Sequence, residues 1–369
     1  MTTTGTDSRR LRLGTRGSRL ALTQSGQVAE ALRQAAAAGA PGEGSGGLGI
    51  DLVTVRTDGD GDRTPLRQLG GVGVFAARLR HALLDGEVDL VVHSFKDLPT
   101  HPVEGLEVIC VPPREDPRDA LCARDGLTLA TLPEGARVGT GSPRRAAQLL
   151  AARPDLEVVD LRGNVPTRLA RVQGLEVVGV GTDEPVAPSR ADTAGDLDAV
   201  VLALSGLRRL GLEHCASEVL DLETMLPAPA QGALAVEARA GEDCTELARA
   251  AAALDDEPTR LAVTAERALM ARLGAGCAAP VGAWAHLRGE SQEPRVLVLR
   301  AVVTSLDGGQ EVGCELSTEL PEASGGPGAP GDTAAVRAAE ALGVRAAEVL
   351  LDDGADQIVD LHANKPRRH

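Results

Sequence analysis

The sequence predicts an α/β protein with mainly parallel sheets, followed by a small α+β domain. Two features indicate this fold class. Short apolar runs alternate with longer amphipathic runs along most of the chain, a pattern typical of β-α-β units with helices on both faces of a parallel sheet. Towards the C-terminus, apolar runs with strand character are grouped between two helical segments, which is typical of a small α+β domain.

The alternating runs form two series and a third region. In the first series we predict strands at 10–15, 50–56 and 88–93 and helices at 18–38 and 74–84. The second has strands at 119–122, 137–139, 157–161 and 199–204 and helices at 143–152 and 165–172. The third has helices at 257–273 and 333–351 and strands at 281–287, 296–304 and 311–317. In the first helix, apolar periodicity predicts a buried side formed by Leu20, Leu22, Val28 and Leu32.

Composition limits the possible functions. A chain of 369 residues that is 43% hydrophobic is long enough for two or three domains. The net charge of −15 argues against nucleic-acid binding, which requires neutralisation of phosphates, although a local basic cleft is compatible with it. The cysteines and histidines lack zinc-site spacing, and no apolar signal or membrane-spanning segment is visible. We therefore expect a cytoplasmic protein without a metal, a membrane or a nucleic-acid partner.

The segment VVHSFKDLP ends an apolar strand with polar residues. Ligands in open α/β sheets lie beyond the carboxyl ends of the strands. Lys96 and Asp97 are adjacent, so on a continued strand they point to opposite sides. One can then face a cleft while the other supports it. The alternative is a solvated strand end, since polar residues are common in loops.

The segment VGTGSPRRAAQL predicts a strand, a tight turn and a helix. Ser142 is suited to cap the helix and Pro143 to begin it. The exposed amides at such a helix start favour an anion, which Arg144 and Arg145 reinforce. No Gly-Lys-Ser/Thr follows, so the turn is not a nucleotide P-loop. The alternative is that both arginines extend into solvent.

Further strand-to-helix turns carry arginine. Arg162 and Arg168 flank the turn in LRGNVPTRL, Arg209 follows the strand in AVVLALSGLRRLG, and Arg16 precedes Ser18 in RLGTRGSRLALTQ. Arginine binds carboxylates through two parallel hydrogen bonds. If these turns converge on one cleft, the simplest ligand is a compound with several carboxylates.

Cys277 lies in LGAGCAAPVG, directly after a predicted helix. Its small neighbours leave the sulfur accessible. From the residues alone, a small buried side chain is the favoured interpretation, because most cysteines outside disulfides are buried. An accessible, chemically used thiol is the alternative.

Taken together, these segments resemble the porphobilinogen deaminase family. The resemblance runs in family order from residue 12 to about residue 302 and includes HS-x-KD-x-P, GT-x-S-x-RR, LRGN-x-x-TR and G-x-GC. It implies three domains, of which the first two resemble the lobes of a periplasmic binding protein. The implied boundaries are 1–112 with 233–250 for domain 1, 118–226 for domain 2 and 255–369 for domain 3.

The resemblance also implies an activity and a cofactor. Members of the family join four porphobilinogen molecules with loss of ammonia and release hydroxymethylbilane, which enters tetrapyrrole biosynthesis. The growing chain is built on a dipyrromethane cofactor. The resemblance further implies a monomer and a transient hand-over of product to uroporphyrinogen-III synthase.

The same resemblance implies the site residues. It favours the interpretation of Cys277 as an accessible, chemically used thiol. Cys277 holds the cofactor through a thioether, and Asp97 binds pyrrole N–H groups and stabilises positive charge. The cofactor contacts implied are Ser94, Lys96, Thr140, Ser142, Arg144 and Arg145. The substrate contacts implied are Arg16, Ser18, Arg162, Arg168 and Arg209, with Phe75 packing near the cofactor.

The chain departs from the family pattern in three places. Gln68 and Val72 stand where the family often has lysines of a basic lid, and we expect Arg63 or Arg67 to compensate. Segments 174–196 and 324–332 are additional, and no function is assigned to either. Two other readings remain open from the residues: a two-lobed solute-binding protein for polycarboxylates, and a sugar-phosphate or nucleotide enzyme that uses the GTGSPRR turn.

Overall fold

A computed structural model of the chain describes residues 10–38, 48–55, 74–175, 177, 195–241, 244–276, 279–289, 295–321 and 333–361. The first lobe begins with β1 (Leu11–Thr15), α1 (Arg19–Ala38), β2 (Ile50–Thr54), α2 (Val74–Leu84), β3 (Leu90–Ser94) and β4 (Leu106–Cys110). The second lobe contains β5 (Asp119–Ala123), β6 (Arg137–Gly139), α3 (Pro143–Ala152), β7 (Glu157–Val159), α4 (Val165–Leu169), β8 (Ala199–Ala203), α5 (Leu204–Arg209) and β9 (Glu218–Val219). The chain then returns to the first lobe with β10 (Leu234–Arg239) and α6 (Thr245–Leu254). The third domain contains α7 (Glu257–Leu273), β11 (Val281–Arg288), β12 (Val296–Thr304), β13 (Glu311–Glu319), α8 (Ala334–Asp352) and α9 (Ala355–Ile358).

The two lobes have the same sheet arrangement. Their strand orders are β2-β1-β3-β10-β4 and β7-β6-β8-β5-β9. In each sheet the first three strands are parallel, and the fourth strand runs antiparallel to both of its neighbours. The carboxyl ends of the three parallel strands therefore lie at one edge of each sheet, where the arginine-bearing turns follow.

The predicted fold class is confirmed: two α/β lobes with mainly parallel sheets precede a small α+β domain. In that domain, β11, β12 and β13 form an antiparallel meander. Helices α7 and α8 pack on this sheet around one apolar cluster. The two helices approach closely at Gly343, where an added Cβ would lie 2.1 Å from the carbonyl oxygen of Ala265.

The predicted buried side of helix α1 is confirmed only in part. Val28 and Leu32 are buried in the core of the first lobe. Leu22, in contrast, is 37% exposed, so its assignment to the buried side is wrong. Leu20 is partly buried but packs against the core of the second lobe. Helix α1 therefore spans the junction between the lobes, which single-helix periodicity cannot reveal.

A buried ion pair connects the third domain to the lobes. The Glu266 carboxylate on α7 is fully buried and accepts hydrogen bonds from Arg114 at 2.7 and 3.0 Å. It also accepts from the backbone N–H of Ala230 at 2.5 Å and of Ala285 at 2.8 Å. One carboxylate thus connects α7 with the segment entering the second lobe, the segment returning from it, and β11.

Within the ranges given above, no helix combines the length and apolar character needed to cross a lipid bilayer. The same described ranges bring together no group of three His, Cys, Asp or Glu side chains able to hold a metal ion.

Candidate functional site

The VVHSFKDLP segment forms strand β3 and then a tight turn. The strand ends at Ser94, and Phe95–Asp97 form a single 3-10 turn. The turn forms because the N–H of Phe95 donates to the carbonyl of Ala233 at 3.0 Å and the phenyl ring is buried. The prediction that Lys96 and Asp97 alternate along a strand is therefore wrong. Asp97 is exposed and Lys96 is half-buried.

Lys96 reaches from the first lobe towards buried groups of the second. Its Nζ donates to Oε1 of Gln231 at 3.0 Å. The amide nitrogen of Gln231 donates to Oδ1 of Asp119 at 2.8 Å and to the carbonyl of Pro117 at 2.7 Å. Burial lowers the pKa of Lys96 to about 8, with the Asp97 carboxylate opposing this fall and the Arg145 guanidinium adding to it. Lys96 is therefore near its titration point at neutral to mildly alkaline pH.

Arg144 and Arg145 are buried rather than exposed at the helix start. Their relative exposures are 3% and 6%, and both guanidiniums bind the fully buried carboxylate of Asp119. Arg144 donates to Oδ2 at 2.7 Å, and Arg145 donates to Oδ1 at 2.8 and 3.1 Å. The alternative that both extend into solvent is excluded. These arginines hold the pKa of Asp119 well below its usual range, although burial opposes this.

The turn before α3 is shaped by close backbone packing. Thr140 is buried, and its Oγ1 accepts a hydrogen bond from the N–H of Ser142 at 3.2 Å. Ser142 caps α3 by accepting from the N–H of Arg145, as the sequence predicts. An added Cβ at Gly141 would lie 2.5 Å from the carbonyl oxygen of Leu161, so only glycine fits there.

The LRGNVPTRL turn places Arg162 and Arg168 beside the first lobe. Asn164 caps α4 by accepting from the N–H of Thr167 at 2.9 Å. Burial, together with the charges of Arg145 and Arg162, lowers the pKa of Arg168 to about 10, and Asp97 is among the carboxylates that oppose this fall. Arg168 of one lobe is therefore within electrostatic range of Asp97 of the other.

The remaining predicted contacts lie at the junction of the lobes or at the same sheet edge. Arg209 donates to the carbonyl of Gly232 at 2.6 Å, and burial lowers its pKa. Arg16 follows β1, and Ser18 accepts a hydrogen bond from the N–H of Ala21 at 3.3 Å at the start of α1. Since β1 and β3 are parallel, Arg16 lies at the edge where Ser94 ends β3.

Four predicted residues cannot be placed. Phe75 lies in α2, but its side chain is outside the described residues. Cys277 is also outside the described residues, although α7 ends at Leu273, close before it in sequence. The same holds for Arg63 and Arg67.

Sequence reasoning missed three side chains that shape this region. Asp119 and Gln231 lie inside the matching segments EDPRDAL and LPAPAQGALAVEAR, and both are fully buried. Glu237, on the neighbouring strand β10, binds His93 of β3 at 3.1 Å and Arg80 at 2.8 Å. A signal was present for Asp119: an acidic residue in a predicted apolar strand needs a buried cationic partner.

The donor set of this cleft fits a ligand with several carboxylates. Arg144 and Arg145 share the single carboxylate of Asp119, so the trio keeps a net positive charge. Nε of Arg144 is buried and has no hydrogen-bond partner within the described part of the chain. Lys96 and Arg168 add two further cationic groups. An anionic group that enters the cleft therefore meets cationic side chains that are already buried away from water.

Replacement of Asp119 by asparagine is expected to destabilise the protein by about 3–5 kcal/mol, because breaking a buried ion pair leaves uncompensated charge. Urea-induced unfolding of the variant and the wild type measures the difference. Asp51→Asn is the matched control, since Asp51 forms an exposed pair with Arg10 and its loss should change stability little. Equal unfolding curves for Asp119→Asn and wild type would contradict the pairing.

Comparisons with known proteins agree along nearly the whole chain. Residues 11–246 match the family model "Porphobilinogen deaminase, dipyromethane cofactor binding domain", and residues 260–352 match "Porphobilinogen deaminase, C-terminal domain". A porphobilinogen deaminase of Micrococcus luteus is 53% identical, with 94% of this chain and 93% of the relative covered. That of Cutibacterium acnes is 52% identical, with 97% and 99% covered.

The solved structures to which the chain is similar have much lower sequence identity. One is the ectoine binding protein of the TeaABC TRAP transporter, which is 11% identical, with 66% of this chain and 76% of that chain covered and a TM-score of 0.33.

Proposed function

The chain belongs to the porphobilinogen deaminase family, and from this premise we propose how its own residues carry out the family reaction. The protein is a transferase that makes hydroxymethylbilane from porphobilinogen in tetrapyrrole biosynthesis, and its cofactor is dipyrromethane. The roles of individual residues given below are proposals.

One observation supports the proposed site more than any other. Lys96, on the turn after β3, and Arg145 of the second lobe both donate to Oε1 of Gln231, at 3.0 and 3.5 Å, and Asp97 lies within electrostatic range of Arg168. The region therefore combines the exposed carboxylate of Asp97 with several cationic groups. Pyrroles that carry an acetate and a propionate need such cations, and a pyrrole ring that becomes positively charged needs the carboxylate.

Asp97 acts on the reacting ring. Loss of ammonia from the aminomethyl group of porphobilinogen leaves a positively charged methylene-pyrrolenine. A carboxylate beside the ring N–H stabilises this charge electrostatically and can accept or return a proton. Asp97 is exposed, so a substrate can reach it without rearrangement of the core.

The cationic residues bind the carboxylates and fix the order of the units. Lys96, Arg144 and Arg145, with the turn residues Ser94, Thr140 and Ser142, hold the cofactor side chains. Arg16, Arg162, Arg168 and Arg209, with Ser18, hold those of the substrate units, and Phe75 packs near the cofactor. Arginine is suited to this role because its planar guanidinium binds a carboxylate through two hydrogen bonds.

Cys277 attaches the dipyrromethane cofactor through a thioether. When bound, the cofactor supplies the nucleophilic pyrrole carbon to which the first substrate unit is joined. Small residues on both sides of Cys277 leave room for a substituted sulfur, and Ala275, at the start of this segment, packs against the core of the third domain.

The proposal has four further parts. Arg63 or Arg67 replaces the lid lysines that the family often has. The protein is a cytoplasmic monomer. It transfers its product to uroporphyrinogen-III synthase. The domains comprise 1–112 with 233–250, 118–226 and 255–369. Support for the last comes from β10, which pairs with β3 and β4 in the sheet of the first lobe.

The pH dependence of kcat/KM tests the role of Lys96. Its pKa is lowered to about 8, so Lys96 is charged below that pH and neutral above it. We expect kcat/KM for porphobilinogen to fall about tenfold as pH rises through this range, because a charge-assisted hydrogen bond to a carboxylate contributes about 1.5–3 kcal/mol.

Two variants distinguish the titration of Lys96 from the titration of the substrate itself. Lys96→Arg stays charged throughout and should lose the falling limb near pH 8. Lys96→Met should have a low kcat/KM at every pH and no such limb. If Lys96→Met and the wild type share one pH profile, Lys96 does not bind the carboxylates.

A further inference from the structure

Arg267, which is distant in sequence, binds the turn that carries Asp97. It lies in α7 of the third domain and is half-buried. Its Nη1 donates to the carbonyl oxygens of Phe95 at 3.2 Å and Leu98 at 2.7 Å, and its Nη2 donates to that of Pro99 at 2.7 Å. One guanidinium thus fixes carbonyls on both sides of Asp97.

The same side chain also packs on the ring at the centre of the turn. The guanidinium carbon of Arg267 lies 4.4 Å from the centroid of Phe95, within the range of a cation–π contact. Phe95 is buried in an apolar cluster that includes Val263, one turn earlier on α7. The turn is therefore held by α7 through both its backbone and its phenyl ring.

The internal hydrogen bond of the turn is weaker than these contacts. The N–H of Leu98 donates to the carbonyl of Phe95 at 3.3 Å, which is long for such a bond. The N–H of Phe95 is fixed by Ala233, but this bond holds the start of the turn only. The exit of the turn, on the far side of Asp97, depends on Arg267.

Helix α7 connects this support with the cofactor segment. It ends at Leu273, and Gly274 adopts the left-handed conformation (φ +62°) that closes the helix. Cys277 follows shortly after in the sequence. One rigid helix therefore holds the turn of Asp97 and leads into the segment of the cofactor cysteine.

We propose that Arg267 is a positioning residue for the reaction: it does not touch the substrate but fixes the turn so that the Asp97 carboxylate meets the reacting ring. This inference rests on the role proposed for Asp97. The planar guanidinium of arginine can donate to several neighbouring carbonyls at once. The compact ammonium group of lysine does not reproduce this geometry.

Arg267→Gln is expected to lower kcat about 30-fold with little change in KM, since a displacement of about 1 Å at a reacting group can cost about 10²-fold. Arg267→Lys should lie between Arg267→Gln and the wild type. Rates are normalised to the dipyrrole content of each preparation, measured with Ehrlich-type reagent. Arg272→Gln is the matched control, because Arg272 lies on the same helix but pairs with Glu348 at the surface, and it should keep wild-type kcat.

A double-mutant cycle with Asp97→Glu separates positioning from a merely structural role. If Arg267 acts through Asp97, its replacement should cost about threefold or less in the Asp97→Glu background, since coupled residues are not additive. An equal loss in both backgrounds, or an unchanged kcat for Arg267→Gln, would overturn the inference. A wild-type kcat for Asp97→Glu and for Asp97→Asn would instead defeat the proposed role of Asp97.

Discussion

Replacement of Asp97 by asparagine is expected to lower kcat by about 10³-fold or more, because loss of an electrostatic or proton-transferring group at a reacting centre costs about 10²–10⁴-fold. The asparagine keeps the shape of the side chain but cannot offset the positive charge of the ring. Production of hydroxymethylbilane, measured from its conversion to uroporphyrin, gives the rate.

Folding should be unaffected by this change. Asp97 is exposed, and substitutions at exposed positions usually change stability by about 0.5 kcal/mol or less. Glu104→Gln is the matched control, because Glu104 is an exposed carboxylate of the same lobe that has no role in the proposed site. Near-normal turnover by Asp97→Asn, with Glu104→Gln also active, is the result that the mechanism does not allow.

Cys277→Ala is expected to abolish product formation altogether, because the proposed mechanism attaches the cofactor at Cys277. The purified variant should give no colour with Ehrlich-type reagent, whereas the wild type should give the reaction of a dipyrrole. Incubation with porphobilinogen should not restore either property.

Cys244→Ala serves as the control for this variant. Cys244 is a half-buried free cysteine that packs partly against the core of the first lobe, away from the cleft residues. It should retain the dipyrrole colour and the activity. Colour in Cys277→Ala, or its loss in Cys244→Ala, would show that the wrong sulfur has been assigned.

The local features of the site were predictable from the sequence because each depends on neighbouring residues. Ser142 and Asn164 cap α3 and α4 as expected, since capping requires only a side-chain oxygen and the next turn of the helix. The parallel order of the strands follows from their alternation with helices. Together these features place the arginine-bearing turns at one edge of each sheet.

The buried partners of the arginines were not predictable in this way. Arg144 and Arg145 were predicted to reinforce an anion site at the start of α3, but both bind Asp119 on β5, whose further partner Gln231 lies on the return segment far along the chain. Which acid faces which arginine is decided by the pairing of β5 with β8, a long-range contact. Local sequence pattern carries no information on it.

The turn at Asp97 shows the same limit. A strand continued through Lys96 and Asp97 fits the local pattern, but Ala233 and Arg267 impose a 3-10 turn. Both partners are distant in sequence, and although the helix of Arg267 was predicted with its observed bounds, its contact with this turn was not. Strand β10 and helix α6 were missed by periodicity because both are rich in alanine, which weakens the contrast between apolar and polar positions.

Intact and peptide mass spectrometry of the purified protein, before and after addition of porphobilinogen, tests the central claim most directly. We expect the chain to carry the mass of two linked pyrrole units on the peptide containing Cys277, and to gain further single units when substrate is added. In Asp97→Asn no series of added units should appear. A wild-type chain with unmodified mass, unchanged by porphobilinogen, would contradict the account.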